Sequence, residues 1–175
     1  MKQTASLALL VAATVGALVL VPVASWRTFF DPCHLAAISA LATTATLFYT
    51  RNRGPRAMRF ERRIMALFLA GMPLVYVATL LMSSDDKSGL VVEIAAVPIY
   101  GTMAWLGLKR WPLLLAIGIG LHGLAWDAWH LSGTRVVPSW YAAGCLLVDV
   151  AMAIYVAVRV SNLERYALGV TPSTR

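Results

Sequence analysis

Long apolar runs separated by short polar segments set the rhythm of this chain. Residues 5–24, 33–50, 64–82, 89–108, 111–131 and 139–158 each approach the length of a membrane span. A helix rises 1.5 Å per residue, so about 20 apolar residues cross a hydrocarbon core roughly 30 Å thick. The pattern predicts an all-α fold: a polytopic membrane protein built as a bundle of six transmembrane helices, with residues 1–175 as a single transmembrane domain. If the first run were a signal cleaved after Val23-Ala24-Ser25, five helices would remain. That run is longer than the roughly 7–15 residues of a signal core, so a retained helix is the preferred reading.

The polar segments orient the bundle. Arg51, Arg53, Arg56, Arg59, Arg62 and Arg63 oppose a single Glu61, and this makes residues 51–63 a basic cytoplasmic loop interrupted by Gly54-Pro55. Such a loop suits anionic headgroups. Lys109, Arg110, Arg159, Arg165 and Arg175 fall on the same side, the last two within a short cytoplasmic tail, residues 160–175. The opposite side holds three of the fifteen Lys and Arg residues: Arg27, Lys87 and Arg135. An excess of positive charge marks the cytoplasmic side. The expectation is a bacterial-type inner membrane protein with both termini cytoplasmic.

Composition agrees. The chain is 59% hydrophobic and 13% charged, with a mean hydropathy of +0.72. Soluble domains carry about 25% charged residues. The net charge of +7 does not indicate nucleic acid, because the positive charges are confined to the connecting segments. Cys33 and Cys145 form no C-x-x-C motif, so they read as buried structural thiols and not as a redox or zinc motif.

The candidate chemistry lies in the runs themselves. Glu93, His122, Asp127, His130 and Asp149 interrupt three of them. Each charge at the bilayer centre costs about 2.5–3.5 kcal/mol on insertion scales, so such groups are paired or used. His122 lies eleven residues beyond Trp111, which places it at roughly 16 Å depth. Asp149 lies eleven residues beyond Pro138 and reaches a similar level from the other side. Glu93, Asp127, His130, Cys145 and His34 fall in the outer half by the same arithmetic, and the inner half is left without an ionisable group. On the fifth helix Asp127 and His130 are three apart and share a face. The five residues Glu93, His122, Asp127, His130 and Asp149 are therefore expected to converge in one cavity in the outer half of the bundle. Trp126 offers an aromatic wall beside Asp127.

A divalent metal stays open as a cofactor, with Glu93, Asp127, His130 and His34 as the candidate ligand set, although no compact H-E-x-x-H motif is present. Haem is disfavoured, because three histidines supply no second axial pair. Gly118-x-Gly120-x-x-Gly123 matches a dinucleotide fingerprint in letters only. It lies inside a hydrophobic helix, where it reads as a packing seam together with Ala116. The resulting expectation is a small membrane enzyme performing acid–base chemistry, with a metal as an optional aid, on an apolar or lipid-like substrate. Its partners would be membrane lipids, not nucleic acid. Two alternatives are a proton- or metal-coupled transporter and a non-catalytic assembly or accessory subunit.

Overall fold

The computed structural model describes residues 32–50, 54–83, 87–134 and 136–167. The first apolar run, residues 5–24, lies outside them. The described residues are all-helical and form five rods. These are α1 (Pro32–Thr50), α2 (Gly54–Ser83), α3 (Leu90–Lys109), a composite rod that begins as α4 (Leu113–Leu121), and α5 (Ser139–Ala167). Four helical segments are long and apolar enough to cross a membrane: Pro32–Thr50, Arg56–Met82, Leu90–Lys109 and Ser139–Val160.

The composite rod departs from a regular span. Beyond Leu121 the backbone widens into π-helical turns at His122–Asp127 and again at His130–Thr134. The amide of Ala128 reaches back to the carbonyls of both Ala125 and Gly123. Hydrophobic periodicity predicts one uniform helix over residues 111–131. The backbone instead divides that stretch, and the six-helix expectation meets five rods among the described residues.

Residues 54–63, expected to lie in a basic loop, are helical and form the first turns of α2. Pro55 falls in the first turn, where its missing N–H costs no hydrogen bond. At 30 residues α2 is about 45 Å long, well beyond a hydrocarbon core. Its basic start is therefore a continuation of the span and not a turn between spans.

α1 keeps its small polar residues satisfied without neighbours. The hydroxyls of Ser39, Thr44 and Thr46 donate to carbonyls four residues back, at 2.8–2.9 Å. α2 packs mainly on α3, and α4 with its first π turn packs on α5. One apolar core gathers Leu47, Leu69, Leu115, Ile119 and Met152; a second gathers Cys33, Tyr76, Val137, Tyr141 and Ala142. Trp126 packs against both. The expected small-residue seam is visible in two places. A Cβ added at Gly120 would meet Ala153 at 3.4 Å, and one added at Gly123 would lie 2.7 Å from the Cβ of Asp149.

Glu61, expected in the basic loop, is instead an ionisable group inside one of the four segments apolar enough to cross a membrane. It is buried within the Arg56–Met82 span. Arg159 on α5 donates to both of its oxygens, from Nε at 2.9 Å and from Nη2 at 3.0 Å, and Thr50 on α1 donates at 3.0 Å. The neighbouring Arg62 donates through Nε to the carbonyl of Gly107 at 2.9 Å, tying α2 to the end of α3. Pairing of Glu61 with Arg159 makes it affordable inside a helix that counts as apolar.

Candidate functional site

Glu93, His122, Asp127, His130 and Asp149 are all buried, and every one of them contacts another polar group. Three elements position them. Glu93 comes from the first turn of α3, Asp149 from the first half of α5, and the other three from the π-helical stretch. The widened turn is what aligns that stretch. At 100° per residue, His122 and Asp127 would stand about 140° apart around the axis. An i→i+5 turn returns the chain to nearly the same face after five residues. His122 Nδ1 and Asp127 Oδ1 accordingly face each other at 3.6 Å. Bulges of this kind recur at functional sites.

Asp149 completes the group from across the helix interface. Its Oδ2 lies 2.9 Å from His122 Nδ1. The absence of a side chain at Gly123 permits this approach, since a Cβ there would sit 2.7 Å from Asp149 Cβ and 3.4 Å from the Leu146 carbonyl oxygen. Glycine stands next to the histidine because α5 must come that close. One ligand-type atom from each of His122, Asp127 and Asp149 falls within 4.8 Å of the others.

The second half of the network is a separate pair. His130 Nε2 lies 3.1 Å from Glu93 Oε1, and Trp126 donates its indole N–H to Glu93 Oε2 at 3.0 Å. Tyr76 bridges the halves. Its hydroxyl donates to Asp127 Oδ1, while its ring stacks on that of His130 with centroids 4.3 Å apart and 20° between planes. Tyr100 meets the His122 ring edge-on at 5.2 Å. Sequence reasoning places the five ionisable residues together and omits both tyrosines. The available signal is that a tyrosine inside an apolar span carries a hydroxyl that needs a partner.

The metal set expected from the sequence is not the one the fold assembles. His34, half-buried on α1, packs against Trp140 at 5.1 Å, and Glu93 is engaged with His130 and Trp126. Among the described residues, the compact donor group is His122, Asp127 and Asp149. Matched depth identifies residues on one level but not which of them share a side of the bundle.

Of the five, His122 and Asp149 line a cavity of about 630 Å³ between α1, α2 and α5, whereas Glu93, Asp127 and His130 are not among its lining residues, so the five share a network of contacts and not the expected single cavity. Its walls are mostly apolar, with Ala36, Phe68, Met72 and Val148 among them, and Cys145 and Tyr141 lie near the polar pair. Leu35, Leu67 and Leu74 also line it while remaining 45%, 73% and 50% exposed, so its rim continues into the apolar outer surface of the bundle. The volume falls within the roughly 300–1,000 Å³ of small-molecule pockets. An apolar chamber with one imidazole–carboxylate pair on its wall can hold a hydrocarbon body while the pair exchanges a proton with a polar group of the same molecule.

No curated protein and no solved structure matches this chain. A family model does match, over residues 34–162, and that stretch contains every member of the polar network. The chain belongs to DUF6010, a family of unknown function.

Proposed function

We propose that this protein is a multi-pass membrane enzyme performing acid–base chemistry on an apolar or lipid-like substrate held in the α1–α2–α5 cavity. The observation that carries the reading is the His122–Asp149 pair, buried at 2.9 Å, on the wall of an otherwise apolar chamber. Both carboxylates approach His122 through Nδ1, and Nε2 is buried without a hydrogen-bond partner among the described residues. A carboxylate on one ring nitrogen fixes the tautomer and leaves the other nitrogen to take or give a proton. Asp149 and Asp127 orient and His122 transfers, while Glu93 and His130 form a second carboxylate–imidazole pair linked through Tyr76. The second polar group, Glu61 with Arg159, is a closed ion pair. A closed pair weighs against a proton relay running toward that end of the bundle.

The topology belongs to the same proposal. The five rods and the first apolar run make six spans, with residues 113–134 as the fifth despite their π turns. Twelve of fifteen basic residues then face the cytoplasm, together with both termini, in an inner membrane of bacterial type.

Lipid analysis tests the enzymatic reading. Total membrane lipids from a bacterial host producing the wild-type chain would be compared by mass spectrometry with those from hosts producing His122→Gln and Asp149→Asn. At least one lipid or isoprenoid class should change with the wild type and revert in both variants, because general acid–base groups contribute about 10²–10⁴-fold in rate. Identical profiles from equally abundant, monodisperse wild-type and variant proteins would refute it.

A further inference from the structure

We infer that His122, Asp127 and Asp149 form a binding site for one divalent transition-metal ion of the zinc or manganese class. The inference rests on the reading above and alters one role in it: with an ion on Nδ1, the acid–base group would be a water at the open position and not His122 Nε2; its binding test stands apart from turnover.

Geometry comes first. Two ligand atoms each about 2.1 Å from one ion in a tetrahedral shell lie roughly 3.4 Å apart. His122 Nδ1 lies 2.9 Å from Asp149 Oδ2 and 3.6 Å from Asp127 Oδ1, values on either side of that edge. The three donors close within 4.8 Å. Imidazole and carboxylate together suit zinc, iron and manganese, and three protein ligands with one open position is the pattern of catalytic sites. The open position matters here because His122 and Asp149 border the cavity.

Charge supplies an independent argument. Glu93 has His130 as its counterpart at 3.1 Å. His122 faces two carboxylates, Asp127 and Asp149, and one imidazolium can neutralise only one of them. Asp127 Oδ2 is buried with no hydrogen-bond partner among the described residues. A buried carboxylate oxygen left this way costs more than a lost neutral hydrogen bond. A divalent ion with a neutral imidazole balances both carboxylates. Tyr76 then plays the part of an outer residue that orients a ligand, donating to Asp127 Oδ1, the oxygen that faces His122.

The test uses the full chain in detergent, stripped with a chelator and dialysed. Zn²⁺ and Mn²⁺ are titrated calorimetrically, and elemental analysis gives the stoichiometry. One ion per chain is expected. Asp127→Asn and Asp149→Asn should each weaken binding by at least about 100-fold, and Tyr76→Phe by about 10–100-fold, as outer-residue changes do elsewhere. Glu61→Gln, at the separate Arg159 pair and outside the polar network, should stay within about threefold of the wild type. If either Asp variant fails to remain monodisperse, Co²⁺ added to the wild type decides. Intense visible absorption of a four-coordinate ion supports the site, and the weak spectrum of hydrated Co²⁺ overturns it. Failure of the wild type to take up either ion stoichiometrically also overturns it, as do Asp variants that bind like the wild type. Metal-free wild type that still remodels lipid sinks the metal and spares the enzyme. A bound ion with no lipid change supports the site and sinks the enzymatic reading.

Discussion

Replacing Gly123 with alanine tests the contact on which the polar group depends. The new methyl carbon would stand 2.7 Å from Asp149 Cβ and 3.4 Å from the Leu146 carbonyl oxygen. Carbon atoms rest at about 3.5–4.0 Å, so the helices must part by roughly 1 Å. Side-chain rotation cannot relieve this, because Asp149 Cβ moves only with its backbone. A shift of that size takes the His122–Asp149 contact from 2.9 Å past the hydrogen-bond limit of about 3.2 Å. Overpacking of this kind costs about 1–3 kcal/mol. Alanine also gains up to about 1 kcal/mol in helix propensity, which would mask part of the loss. Gly101→Ala controls for that gain, since it lies in α3 with nothing within 4 Å of an added Cβ. The difference between the two variants isolates the clash. Heating each in detergent and measuring the surviving monodisperse fraction should separate their midpoints by about 2–12 °C, at 2–4 °C per kcal/mol. Gly123→Ala melting level with Gly101→Ala, and binding Zn²⁺ like the wild type, would refute the claim that this close approach holds Asp149 on His122.

Glu61→Gln removes the charge that meets Arg159 while keeping shape and the Thr50 hydrogen bond. Because Arg159 is 22% exposed, the loss should fall below the roughly 3–5 kcal/mol of a fully buried pair. A cycle with Arg159→Met should return a coupling within about 0.5–3 kcal/mol, and a coupling of zero would show the pair to be incidental. Topology is checked by thiol labelling of Ser84→Cys and Thr171→Cys in a background lacking Cys33 and Cys145. The first should label from outside and the second only from the cytoplasm; labelling of Ser84→Cys from the cytoplasm alone would invert the proposed orientation.

The helices are legible in the sequence because a hydrocarbon core imposes a length and excludes charge, and runs such as residues 64–82 display both. The start of α2 is not legible for the same reason. Hydropathy registers where lipid contact ends, whereas the hydrogen-bond ladder continues through Arg56, Arg59 and Arg62. Glu61 is lost in that stretch because its cost is met by Arg159, nearly a hundred residues away, and no local pattern records such a partner. The five ionisable residues of the candidate site stand out because each is an exception in an apolar run. Their pairing does not. A single angular step of 100° per residue cannot anticipate the wide turn that returns Asp127 to the side of His122, nor can depth alone show that Glu93 pairs with His130 and not with a metal.

The exposed leucines at the cavity rim bear on how any ligand must be counted. On the reading proposed above, a molecule passing Leu35, Leu67 and Leu74 arrives by lateral diffusion within the bilayer. Its effective concentration is then a mole fraction among lipids, independent of the volume of buffer. Saturation would follow the ratio of ligand to carrier lipid or detergent, and adding empty micelles at fixed total ligand would weaken apparent binding by surface dilution. Aqueous solubility, which ordinarily limits the ligands of a pocket this apolar, would drop out of the measurement.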